Sequence, residues 1–253
     1  MLASHQQDQF SPYISGANST GTYTYNNVLY RWHKITSSTT LEIAPGLMDF
    51  LVIAGGGGGG AGGGLVSNGS TIGGSGGGAR GHDVSGGIAG SGSDANVIVF
   101  GVADPSALHY GNNGGASGGL LYHGGGGGGA GAAGATGGPT GTGSDGGDGK
   151  NEIMGLSAAN STILLALSSI NAGVVDSGTR YLAGGGGGHS QGTNRNPAGG
   201  VGGGGAGGMY IDGSTNNSAT SATANTGGGG GGGYSVGGLA GGGSGIIILR
   251  FRL

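Results

Sequence analysis

Asp145, Asp148 and Glu152 lie close enough in sequence to gather a hard cation, since oxygen ligands on a flexible loop suit calcium. Their spacing matches no EF-hand, so the expectation is solvated turn carboxylates with no bound ion. His82-Asp83 and His123 stand beside glycine, where an imidazole could take a metal. The six histidines show no ligand spacing, and the expected metal and cofactor complement is none. Gly-x-Ser-x-Gly occurs around Ser75 and Ser117, but both lie in glycine-rich stretches without the strand-to-helix context of a nucleophile elbow. Gly-x-Gly-x-x-Gly recurs too often here to carry information. A phosphate loop is missing: Gly149-Lys150 is followed by Asn151, and Ser144 stands where the first glycine should be. The chain has no cysteine, which removes thiol chemistry, disulfides and zinc-thiolate sites. No catalytic residue emerges, and the chain reads as a non-enzyme.

Binding is the chemistry that remains. Tyrosine set among asparagine and serine suits adaptable recognition. Three clusters have this character: His109, Tyr110, Asn112 and Asn113; then His189, Gln191, Asn194 and Arg195; then Met209, Tyr210, Asn216 and Asn217. The candidates for partner contact are His109, Tyr110, Asn112, His189, Asn194, Arg195, Tyr210 and Asn216. Trp32 sits in a β-like region and reads as core.

These clusters need a scaffold, and the scaffold is glycine, 75 of 253 residues. The longest runs cover residues 55–60, 124–129, 184–188, 202–205 and 227–233. A glycine run buries almost no apolar surface and loses much backbone freedom on ordering. Collagen is excluded, because there are five prolines and no chain-wide Gly-X-Y repeat. A flexible linker fits poorly, because strand-like segments abut the runs. Ordered glycine can instead form the extended threefold helix, which has no internal hydrogen bonds and must bond to its neighbours. A helix surrounded on all sides then tolerates only glycine. A peripheral one takes larger residues three apart, and Ala130, Ala133, Thr136, Pro139 and Thr142 follow that spacing. Ala198 with Val201, Ala206 with Met209, and Val236 with Leu239 repeat it.

The two chain ends read differently. Thr22 to Tyr25 and Val28 to Ile35 are strand-like around a turn at Asn26-Asn27, and Leu41-Glu42-Ile43 alternates like a half-buried strand. Phe50 to Ala54 and Ile246 to Leu253 are apolar runs expected to share a sheet. Within the long middle, Asn96 to Val102 resembles a strand, while Ser161 to Ile170 fits helix or strand. The expected fold is all-β and irregular: a small β-sandwich-like base from both termini plus a stack of packed polyglycine II helices with connecting loops. Its divisions are residues 1–54 for the N-terminal base, 55–243 for the glycine stack and 244–253 for the closing strand.

Net charge is −3 with eight scattered basic residues, which gives no surface for tracking phosphates, so no nucleic-acid partner is expected. Residues 1–11 are polar and lack an apolar stretch of signal-peptide length. No run approaches the length of a membrane span, so membrane insertion is not expected. The chain is expected to be made in a cytoplasm and to stay soluble unless something else carries it out.

Two segments resemble a known family. One is Tyr30-Arg31-Trp32-His33-Lys34-Ile35 through Leu41-Glu42-Ile43, followed by Asp49-Phe50-Leu51-Val52-Ile53-Ala54 and polyglycine. The other is the ending Gly242-Gly243-Ser244-Gly245-Ile246-Ile247-Ile248-Leu249-Arg250-Phe251. Together they resemble the glycine-rich domain of bacteriophage tail-fibre and virion proteins. The alternation of glycine blocks with variable segments is similar in style to the tail-fibre tip adhesins of T-even-type phages. That resemblance implies a virion protein, on a tail fibre or elsewhere on the exterior, made in the host cytoplasm. Its implied partners are a host cell-surface receptor, as a protein loop or a glycan, and other tail-fibre or virion proteins, with a homotrimer left open. A purely structural capsid fibre or decoration protein, and an extracellular ice- or surface-binding protein, stand as alternatives.

Overall fold

The computed structural model describes residues 14–25, 27–43, 49–62, 77–79, 81, 88–92, 98–99, 102–103, 110–118, 123–138, 144–151, 172–192, 195–211, 214–234 and 240–253. Among them there is no helix, and the secondary structure is all-β in small sheets. The chain forms two compact units, Met1–Val52 with Ile247–Leu253, and Ile53–Ile246.

The first unit is built on alternation. Strands β2 (Ser19–Tyr25) and β3 (Val28–Ile35) form an antiparallel hairpin, with Asn27 at a φ of 59° in the turn. Asparagine tolerates this left-handed conformation better than most residues. β3 also pairs with the C-terminal strand Ile246–Arg252, and the sheet continues to Asp49–Ile53. The apolar run near position 50 and the chain end therefore share one sheet, as their composition predicts. The short strand Ile14–Ser15, β1, pairs antiparallel with Glu42–Ile43, β4, outside that sheet. Ile14, Ile35, Leu249 and Phe251 form the core cluster, with Ala17, Leu41, Ile247 and Leu253 against it. On the opposite face of the sheet Tyr23 stacks on Tyr30 at 5.4 Å, and Arg250 lies 5.0 Å over the Tyr30 ring while donating to Tyr23 Oη. Trp32 is buried and covers Gly21, as a core residue does.

With Asp49–Ile53 as β5, the second unit holds only short strands. β6 (Ile98–Val99) and β7 (Val102–Ala103) pair antiparallel, so the single strand expected over residues 96–102 is a two-stranded ladder, with Gly101 between its halves in the sequence. β8 (Val174–Asp176) and β9 (Thr179–Tyr181) form a hairpin turned by Ser177 and Gly178, both at positive φ. β10 (Ser190–Gln191) runs parallel to β11 (Met209–Ile211), which pairs antiparallel with β12 (Ser214–Asn217). The C-terminal strand is β13. The segment 161–170 lies outside the described residues.

The glycine runs belong to neither helix nor sheet, yet backbone hydrogen bonds link them to one another. Along residues 184–189, successive N–H groups point to three different neighbours: Gly184 to Gly202 O, Gly185 to Gly147 O, Gly186 to Gly57 O. The next three repeat the order: Gly187 to Gly205 O, Gly188 to Ser144 O, His189 to Gly60 O. Residues 124, 127 and 130 donate to 189, 186 and 183 in turn, an antiparallel row with a period of three. At most positions within the runs, packing is close enough to exclude a side chain. A Cβ on Gly126 would lie 1.9 Å from Asp145 O, and one on Gly186 would lie 2.0 Å from Gly230 O. Real Cβ atoms essentially never approach so near. Ala133 and Thr136 are exposed, three apart, as expected at a periphery. Met209 departs from that pattern: as the first residue of β11 it is buried. Pro139, Thr142, Val236 and Leu239 lie outside the described residues.

Candidate functional site

The bonding rows fix the direction of each glycine segment in the second unit. Segments 57–60, 184–189, 202–208 and 229–232 run parallel, because donors three apart meet acceptors three apart in the same order. Segments 124–130 and 144–147 run against them. One set of ends therefore gathers Ala183, Ala130, Thr226, Leu182 and Lys150, joined by Ala130 N–H to Ala183 O, Ala183 N–H to Thr226 O and Lys150 N–H to Leu182 O. The other gathers Gly60, Gly124, His189, Gly208 and Gly232, joined by Gly124 N–H to His189 O, Ser190 N–H to Gly208 O and Gly208 N–H to Gly232 O.

This arrangement sorts the candidates. At the His189 end, β10 and β11 join two of the three clusters, with Gln191 opposite Tyr210 and Met209 opposite Asn217. The Tyr210 ring stacks on Tyr234 at 4.1 Å between centroids and 3° between planes. Tyr234 meets the edge of the His189 ring at 5.4 Å. Asn217 donates to Asn196 Oδ1 at 3.2 Å. The Arg195 guanidinium is exposed and pairs with the Asp145 carboxylate, while its backbone carbonyl accepts from Ser190 Oγ. Asn216 belongs to β12 by its backbone.

The remaining cluster goes elsewhere. Tyr110 lies under the Lys150 ammonium, 5.3 Å from ring centroid to Nζ, and Lys150 pairs with Leu182 at the Ala183 end. Asn112 donates its side-chain amide to Gly129 O, and Asn113 Oδ1 accepts from Gly92 N–H. Both amides thus hold glycine backbone, a role that residue type alone does not reveal. His109 and Asn194 lie outside the described residues.

His189 needs a correction of place. The sequence puts it in a polar loop; the structure buries it completely, at 0% exposure. It follows directly on five glycines whose neighbours enclose it, and its Nδ1 lies 3.3 Å from Gly208 O. Burial, and then the charge of His123, hold its pKa at about 4. His123 is also at 0% exposure and its pKa is lowered by burial. Its Nδ1 accepts the N–H of Gln191 at 3.2 Å.

The carboxylates considered for calcium are engaged with protein. Asp145 Oδ1 accepts Ala198 N–H and its Oδ2 meets Arg195, while Asp148 Oδ1 accepts Val201 N–H. Glu152, His82 and Asp83 lie outside the described residues, and among the described ones no three His, Cys, Asp or Glu side chains group as metal ligands. Among the described residues no helix is long and apolar enough to cross a membrane.

Tyr234 and Asn196 join the site without having stood among the candidates. The signal for Tyr234 is positional: like His189, it directly follows a glycine run, while His123 directly precedes an antiparallel one, so all three reach the same end. Comparison with protein-family models, with curated proteins and with solved structures gives no match.

Proposed function

We propose that this chain is a non-enzymatic bacteriophage tail-fibre protein, of the tip type, that presents the His189 end of its glycine unit to a host-cell receptor. On this reading the glycine segments are polyglycine II helices packed in a stack. The supporting observation for the stack is the three-residue period of the bonds, with successive N–H groups sent to different neighbours. The reading of function is carried by one juxtaposition: two polar clusters, around His189 and around Tyr210, meet at one end beside the stacked Tyr210 and Tyr234. Tyrosines offer large, stiff contact area at small entropic cost. The scaffold beneath them has little side-chain freedom to lose, so binding would order few groups.

The test is adsorption. Purified protein should compete with phage for host cells, and Tyr210→Ala with Tyr234→Ala should abolish that competition while circular dichroism and melting stay close to the unsubstituted protein. Tyr110→Ala, at the Ala183 end, should compete normally. Equal competition by the doubly substituted protein and by Tyr110→Ala would reject the assignment of this end. No competition by the unsubstituted protein, together with antibody labelling on the capsid, would point to a structural virion component instead.

A further inference from the structure

The segment that carries His189 sends one row of donors in a single direction. Gly185 N–H reaches Gly147 O at 2.8 Å and Gly188 N–H reaches Ser144 O at 2.7 Å. Three residues further on, Gln191 N–H reaches His123 Nδ1 at 3.2 Å. A ring nitrogen therefore stands where the row calls for a third carbonyl. To accept, Nδ1 must keep its lone pair, which places the ring proton on Nε2. The ring is fully buried, and its Nε2 meets no hydrogen-bond partner among the described residues.

We propose that His123 is an acid-labile latch, which ties β10 and the three-stranded end sheet to the glycine segments when neutral and releases them when protonated. A second ring proton has to go to Nδ1, where it faces the Gln191 N–H, so an acceptor becomes a donor opposed to a donor. The other acceptors of the row are backbone carbonyls, which stay acceptors at any pH. Burial disfavours the charged ring, so the latch is closed at neutral pH. The groups around it do not offset the charge. His189, on the adjacent segment, is itself buried, and a proton there would repel one on His123. Beyond it lie the stacked rings of Tyr234 and Tyr210, and Asp145 is engaged by Arg195 and Ala198 N–H. Ser144 Oγ donates to Gly124 O. The inference concerns the fold of this end and does not depend on what the end binds.

Amide hydrogen exchange read by NMR tests it, with protection factors corrected for the intrinsic effect of pH. Between pH 7 and pH 5 the amides of Gln191 and Gly192 should lose protection at least tenfold relative to those of Gly185 and Gly188. His123→Gln supplies a carbonyl oxygen that does not titrate, and should keep Gln191 protected across the range. Uniform loss along the row, no loss at Gln191, or a His123→Gln profile identical to that of the unsubstituted protein would overturn the proposal. Should His123→Gln fail to fold, the ring 15N shifts of the unsubstituted protein decide. An Nε2–H tautomer titrating together with Gln191 protection supports the latch, and an Nδ1–H tautomer at pH 7 overturns it.

Discussion

Asp145 and Asp148 repeat one interaction at a step of three residues. Asp145 Oδ1 accepts the N–H of Ala198 at 2.7 Å, and Asp148 Oδ1 accepts that of Val201 at 2.9 Å, both across 53 residues of sequence. The return bonds keep the same step, Gly146 N–H to Ala198 O and Gly149 N–H to Val201 O. Side-chain carboxylates thus enter the backbone lattice as acceptors, in its own register.

That role predicts a graded response. Asp148→Ala leaves the Val201 N–H without its acceptor and should cost about 1–2 kcal/mol. Asp148→Asn keeps a carbonyl oxygen at the same place and should cost less than half as much. Arg195→Ala should change stability by under about 1 kcal/mol, because its pair with Asp145 is exposed. Urea denaturation of the three variants checks the order; an equal loss for Asp148→Ala and Asp148→Asn would show that the acceptor is not what matters.

Glycine itself is required unequally. A Cβ on Gly186 would collide with Gly230 O at 2.0 Å, and the colliding atom is backbone that cannot swing aside. On Gly58 the nearest atom is that same carbonyl oxygen at 3.7 Å, an ordinary contact on an exposed residue. Gly186→Ala should therefore yield insoluble or molten protein. Gly58→Ala should fold and melt within a few degrees of the unsubstituted protein, since alanine also restricts the unfolded chain. Soluble yield and thermal melts separate the two, and a soluble Gly186→Ala with an unchanged melt would refute close packing at that site.

Much of this was legible in the residues. Strand-like residues flanking a turn predict β2 and β3, alternation predicts β4, and apolar runs predict that β5 and β13 share a sheet, because these are local properties of the chain. The direction of each glycine segment was not legible, because glycine runs carry no side chains to mark which neighbour they face. Without direction, the ends could not be sorted: Tyr110 looked equivalent to Tyr210, although the first lies with Lys150 and the second with Tyr234. The burial of His189 was hidden for the same reason. Its enclosure comes from segments around Gly60, Gly124 and Gly208, which are distant in sequence. Asn112 and Asn113 looked like contact residues because an amide that caps backbone and one that meets a partner are the same residue type.

Acid should weaken the glycine unit through His189. Its pKa is about 4 in the folded protein, against 6.5 for the free side chain. The unfolded chain binds the proton first, so stability is complete above about pH 6.5 and falls as pH drops toward about 4, by about 3 kcal/mol over that window. Below about pH 4 both states are protonated and the loss stops growing. His189→Phe should make the acid limb shallower, because it removes one titrating group and leaves His123, and Gly208 O still accepts from Ser190 N–H. Stability measured by denaturant at half-unit steps between pH 4 and pH 7 reads this directly, and parallel curves for the two proteins would exclude His189 as the cause.

The first unit carries a separate histidine with a different consequence. His33 lies on β3 between Thr20 and Leu249, is 5% exposed and stacks on Phe251 at 5.5 Å. Neither of its ring nitrogens has a hydrogen-bond partner among the described residues. Burial, and then the charge of Arg31, lower its pKa, so the ring sits neutral in an apolar place. An unpaired buried polar group costs about 1–3 kcal/mol, and an apolar ring of the same shape avoids that cost. His33→Phe should therefore raise the stability of the unit by about 1 kcal/mol at pH 7. The gain should widen as pH falls below 6.5, where unfolding takes up a proton that the buried ring resists. His33→Leu, which has no ring to overfill the site, should show the same widening with a smaller gain at pH 7. Denaturant unfolding followed by Trp32 fluorescence isolates this unit, because the chain has a single tryptophan and it lies on the neighbouring position of β3. If both variants lose stability at every pH, His33 contributes more by packing against Phe251 than its unpaired nitrogens cost.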